Sequence, residues 1–129
     1  MRCLVAFLLV LGVVLPALPQ APPPEPEIMV DHFRAYRENG RILLDGNLVV
    51  NRREGIKGMR LKFQVLAPGQ KLISQEQTRL TKDQLDTGAE VPFYLQFADQ
   101  SRAVYIIVDV RDGGNMVLTV DKPGPYPIE

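Results

Sequence analysis

From Met59 to Val65 apolar and polar residues alternate one for one, Met59, Leu61, Phe63 and Val65 against Arg60, Lys62 and Gln64. A period of two sends successive side chains to opposite faces of an extended chain, so this stretch predicts a strand with one buried and one wet face. The rhythm recurs at Ile42, Leu44, Gly46, Leu48 and Val50, at Val91, Phe93, Leu95 and Phe97, and at Val104, Ile106, Val108 and Val110. Weaker strands are predicted over residues 30–37, 71–80 and 116–121. Turn chemistry separates them: Asn39-Gly40 is a hairpin signal, Pro68-Gly69 suits a type II turn, and Asp112-Gly113-Gly114-Asn115 closes a further hairpin. Only LTKDQLDTG invites a helical turn, with Thr81 and Gln84 at capping-box spacing. The pattern predicts an all-β protein, a seven-stranded antiparallel β-sandwich of immunoglobulin-like or fibronectin type III-like kind.

The first residues change the picture from fold to compartment. Met1-Arg2 is a short basic start, and residues 3–14 are an uncharged apolar run of signal-peptide length. Pro16 and Pro19 follow too early for a span of roughly 20 apolar residues. Two outcomes stay open, cleavage between Ala17 and Ala21 or retention as an uncleaved membrane anchor. Both predict export, to the periplasm or beyond. Cys3, the one cysteine, lies inside the apolar run and reads as an apolar residue, so no disulfide is expected. The proline-rich PALPQAPPPEP that follows favours an extended spacer. The expected organisation is a leader at 1–21, a spacer at 22–27, a sandwich at 28–122 and a Pro-rich C-terminal tail at 123–129.

Between Asp45 and Asp109 the chain runs through DGNLVVN, an amphipathic strand, a PGQ turn, a polar strand, LDTGAEVPFYLQF and AVYIIVDV. In layout, carried by Gly46, Asn51, Gly88 and Phe93, this resembles the small extracellular bacterial sandwich modules of the FxLYD type. The resemblance implies an exported, non-catalytic module that accompanies other components of a bacterial envelope. It implies no active site.

Candidate chemistry is sparse. His32, the one histidine, sits between Asp31 and Phe33 in a strand region, and no Gly-x-Ser-x-Gly turn presents a serine, so no catalytic residue is expected. Met29 and His32 are soft copper ligands without a second pair, and Asp83, Asp86 and Glu90 do not follow a calcium-loop spacing. No metal or cofactor is expected.

Residues 34–71 carry nine basic side chains against three acids, whereas residues 76–129 carry five against nine. Arg60 and Lys62 are therefore expected to face Asp109 or its neighbours across the sheet. Arg52, Arg53 and Lys57, in a loop, remain for an anion or lipid-headgroup contact. Without Arg2 the chain holds fourteen basic and fifteen acidic residues, a balance that argues against nucleic-acid binding.

An outward patch is expected from Tyr105, Ile107, Val117 and Thr119, alternating with the inward set of the last two strands. An envelope protein partner is favoured as its cover over the tail, whose Tyr126 and Ile128 offer the other cover. The expected function is a non-catalytic binding or accessory module of the cell envelope acting through protein contacts. The alternatives are a small-ligand or glycan binder, using Tyr36, Tyr94 or Tyr105 as sugar platforms, and a copper carrier.

Overall fold

The computed structural model describes residues 25–129, so the expected leader at 1–21 and the spacer as far as residue 24 lie outside the described residues. The described chain forms ten strand segments: β1 (Ile28–Glu38), β2 (Arg41–Val50), β3 (Ile56–Lys57), β4 (Arg60–Ala67), β5 (Lys71–Arg79), β6 (Gln84–Leu85), β7 (Glu90–Ala98), β8 (Tyr105–Arg111), β9 (Val117–Leu118) and β10 (Tyr126–Pro127). No helix among these residues is long and apolar enough to cross a membrane. One antiparallel sheet has the order β1-β2-β7 and a second the order β10-β8-β4-β5, with β9 also on β8. The short β3 and β6 pair with each other.

Six of the seven expected strand regions form strands over most of their length, the expected strand at 116–121 shrinks to Val117–Leu118, and the count rises to ten for two reasons. Gln84-Leu85, expected within a helical turn, instead runs antiparallel to Ile56-Lys57. Burial decides it: Ile56 and Leu85 are only 1% and 5% exposed, and an extended pair turns both into the core while leaving Lys57 and Gln84 in solvent. The other addition is β10, inside the segment expected to be a tail.

Inward residues of the two sheets meet in one apolar cluster that includes Leu44, Leu48, Leu61, Val65, Ile106 and Val108. Aromatic rings fill its centre. Phe63 and Phe93 lie 5.2 Å apart between centroids, with Phe33 at 6.0 and 5.8 Å from them. Phe33 can reach that centre because the β1–β2 register slips between Val30 and His32. The extra residue of this bulge shifts the phase of alternation, so Phe33 and Ala35 face the same side as Ile28 and Val30.

The Pro-rich segment is a strap rather than a loose tail. Ile128 N–H donates to the Val104 carbonyl at 3.0 Å, Glu129 N–H to Ala35 at 2.9 Å, and Arg37 N–H to the Glu129 carbonyl at 3.1 Å. These bonds tie the edge of β8 to the edge of β1. Further up the same seam, Glu27 and Ile28 N–H both donate to the Thr119 carbonyl, and Ile28 bridges Val120. Pro127, which has no N–H, sits opposite Tyr105, and Ile128 supplies the next donor. The Tyr126 ring stacks on Phe33 at 4.3 Å and its hydroxyl donates to the Lys122 carbonyl.

Candidate functional site

Three loops converge at one end of the fold because glycines let them touch. Gly58, at φ 65°, approaches Gly113 so closely that a Cβ on it would stand 2.9 Å from the Gly113 Cα. Gly113 N–H donates to the Lys57 carbonyl at 2.9 Å, and Gly58 N–H to the Asp83 carbonyl at 2.7 Å. The turn bearing Gly113 is shaped by Asp112, whose Oδ1 accepts from Gly114 and Met116 N–H, both at 2.9 Å. Between these loops and the ends of β4 and β5 opens a groove of about 940 Å³.

The charges in this groove are unevenly answered. Arg52 is flanked by three carboxylates: its Nε lies 2.6 Å from Glu54 and 3.5 Å from Glu27, and its Nη1 3.9 Å from Asp112. The hydrogen bond to Glu54 raises the Arg52 pKa and lowers that of Glu54. Lys57, Arg60, Arg79 and Lys82 also line the groove, and none forms an ion pair among the described residues. With Arg52 the lining carries five cations against the three carboxylates of Glu54, Asp83 and Asp112, a net charge of +2, and the two carboxylates nearest Arg52 leave Asp83 as the one that stands among the other four cations.

The sheet register concentrates this charge. Arg60 lies directly opposite Arg79 on one side and Arg111 on the other, so three arginines share one row on one face. Directly opposed like charges destabilise a sheet. The expected pairing of Arg60 and Lys62 with Asp109 is half met. Lys62 does stand opposite Asp109, but that carboxylate takes Arg111 Nε at 3.2 Å, and Arg60 faces only arginines.

Of the three residues expected to contact an anion, the structure brings only Lys57 to the groove as a free cation. Arg52 braces the loop, and Arg53 is exposed outside the groove. Arg79 and Lys82 were not singled out by sequence reasoning, because only the β4–β5 register brings them beside Arg60 and Lys57.

The outward residues expected to form one partner patch are split. Tyr105 is 36% exposed and Ile107 half-buried on β8, while Val117, 61% exposed, pairs with Arg111 at the far end of that strand. The Asp109–Arg111 ion pair lies between them. Thr119 is committed to β1: its hydroxyl accepts from Glu27 N–H at 2.9 Å and its N–H donates to Glu27 Oε1 at 3.1 Å. The chain leaves β8 after Leu118 to stitch β1, so Val117 and Thr119 never run alongside Tyr105. The strap does not cover the outer patch either, because Tyr126 and Ile128 pack against the core.

On the outer face of the other sheet, Asn47 is 8% exposed and donates from Nδ2 to Asp31 at 3.3 Å and Glu90 at 3.1 Å. Its Oδ1 is buried with no partner. The hydrogen bond from Asn47 first, and that with the neighbouring His32 next, lower the pKa of the Asp31 carboxyl. A charged Asp31 is therefore the form that favours folding, and this contribution fades as the pH falls through its lowered pKa. Asn47→Ala should return Asp31 towards an ordinary carboxylate pKa in an NMR titration, whereas an unmoved value would assign the depression to His32. Among the described residues no three His, Cys, Asp or Glu side chains converge as a metal-binding group. His32 and Met29, considered for copper, are both exposed on β1.

No family model matches the chain, and no curated protein matches it. Among solved structures, the chain is similar to part of a calcium-binding mutant of β-glucuronidase 2 from Bacteroides uniformis, with a TM-score of 0.48 and 11% identity. The match covers 71% of this chain and 12% of that one, and it carries nothing about ligand or chemistry. The FxLYD-type resemblance rests on sequence layout alone.

Proposed function

We propose that the protein is an exported, non-catalytic binding module of a bacterial envelope, and that it holds an anionic partner in the basic groove. The observation behind this reading is the set of four cations, Lys57, Arg60, Arg79 and Lys82, lining one concavity without carboxylate partners. A protein that needed these charges only for solubility would gain by spreading them or pairing them. The apolar leader supports export. The two sheet orders support a fibronectin type III-like sandwich, in which β9 and β10 act as halves of one last strand and the β3–β6 pair is an added clip. The interrupted Tyr105–Ile107 surface gives less support to an apolar protein contact than the groove gives to an anionic one.

Citrate or pyrophosphate, as multivalent anions, should raise the melting midpoint by several degrees through preferential binding to the folded state. Lys57→Glu with Lys82→Glu should remove that rise. Both side chains are exposed, so the variant should fold normally. No rise in the parent protein, or an equal rise in the variant, refutes the reading.

A further inference from the structure

The groove does not end at its rim. Arg79, Arg60 and Arg111 continue from it as a row across β5, β4 and β8, with the next row made of Gln77, Lys62 and Asp109 and the one after of Gln75, Gln64 and Ile107. Adjacent strands are about 4.8 Å apart, so the row sets cationic heads at short, regular intervals over roughly 10 Å of a sheet face. Without an anion, the opposed Arg60 and Arg79 cost stability, whereas Arg111 at the end of the row is partnered by Asp109 at 3.2 Å. Resting on the anionic reading of the groove, we infer that its ligand is a linear acidic polysaccharide, bearing carboxylate or sulfate groups, that runs from the groove along this row.

The surroundings decide between classes of polyanion. No aromatic side chain lines the groove, so nothing there stacks on a nucleic-acid base. The groove's two large apolar residues are Met59, which is buried, and Leu80, which is half-buried, and the row adds only the exposed Val117 opposite Arg111, too little apolar surface to seat a bilayer or form a protein hot spot. What accompanies the cations is Gln77, Gln84, Thr78 and Thr81. Amides and hydroxyls both donate and accept hydrogen bonds, which suits a chain whose other groups are sugar hydroxyls. Arginine supplies the planar paired donors that match carboxylate and sulfate oxygens.

The test uses the full chain in titrations against polygalacturonate, dextran sulfate, uncharged dextran, poly(dT) and phosphatidylglycerol vesicles at one ionic strength. One or both acidic polysaccharides should bind, and dextran should not. Arg60→Gln with Arg79→Gln should weaken that binding by about tenfold, the loss of two exposed charge contacts. Arg111→Gln should weaken the polymer and leave a galacturonate dimer, too short to reach it, unchanged. Arg60→Gln should also raise the melting midpoint of the ligand-free protein by relieving like-charge contacts, the opposite of what loss of a structural arginine would do. Polymer binding that falls with Lys57→Glu and Lys82→Glu but ignores the arginine row would overturn the track and leave the groove reading intact. Tighter binding of poly(dT) or vesicles than of either polysaccharide would overturn the ligand class. Failure of every anion, citrate included, would remove both readings.

Discussion

Deleting residues 123–129 should lower the melting midpoint by roughly 12–24 °C, the shift expected for a loss of about 3 kcal/mol in a domain of this size. The deletion removes the bonds from Ile128 to Val104, from Glu129 to Ala35 and from Arg37 to Glu129, together with that from Val108 N–H to the Pro123 carbonyl. Each backbone bond contributes about 1 kcal/mol net. It also strips Tyr126 from Phe33 and Ile128 from the core margin. Partial exposure of both side chains and the entropy regained by seven freed residues offset part of this, which is why the expected loss is well below the sum of the contacts. Calorimetry on the truncated chain checks the prediction. Tyr126→Ala should reproduce a minority of the shift, because the backbone bonds survive it. A midpoint within a degree or two of the parent would mean that the segment lies on a pair of sheets already complete at residue 122.

The strap shows where period-two reading stops working. Alternation found the inward faces of β2, β4, β7 and β8 residue by residue, because each of those strands keeps regular pairing over most of its length. KPGPYPIE has no such period, since three of its eight residues are prolines, and its pairing is shared between two different sheets. Its composition marked it only as a Pro-rich tail. It could not supply the partner, because the strap's partners lie about twenty residues back on β8 and about ninety residues back on β1.

The candidate groove was legible to the same limited extent. A run rich in Arg and Lys between residues 52 and 62 was visible, but the sorting of that run was not. Arg52 is surrounded by Glu27, Glu54 and Asp112, of which only Glu54 is near in sequence. Arg79 and Lys82 belong to a stretch that reads as an ordinary polar strand end. Charge counts over halves of a chain describe long-range balance, whereas binding depends on which cations remain unanswered within a few ångströms. The split of Tyr105 from Val117 has a similar origin. Extending the β8–β9 hairpin past Leu118 assumes that the returning strand stays with its neighbour, and here it crosses to β1 after two residues.

The second large effect is expected at Gly46, and it follows from the bulge in β1. Gly46 stands opposite Phe33 in the β1–β2 register and opposite Phe93 in the β2–β7 register, facing the core. The slip at Val30/His32 carries the β1 backbone across this position. A Cβ on residue 46 would stand 2.3 Å from the His32 carbonyl oxygen, 2.7 Å from Phe93 Cζ and 3.1 Å from Phe33 Cα. Two of those three atoms are backbone. Gly46→Ala must therefore move β1 away from β2, disturbing the Phe33–Phe93 contact at 5.8 Å and, through Phe33, the stack with Tyr126. Overpacking of a filled core costs about 1–3 kcal/mol, and a backbone obstruction puts this site at the upper end. A fall in midpoint of roughly 12–24 °C is expected on that basis. Phe93→Leu separates the two obstructions, since it withdraws the ring tip and leaves the carbonyl in place. Combined with Gly46→Ala, it should recover about 1 kcal/mol relative to the sum of the single changes, a coupling of the size seen between residues in contact. The remaining loss should persist, because no side-chain change moves the His32 carbonyl. Full additivity would show that the ring is no obstruction, and a Gly46→Ala protein as stable as its parent would show that β1 does not cross so close to β2.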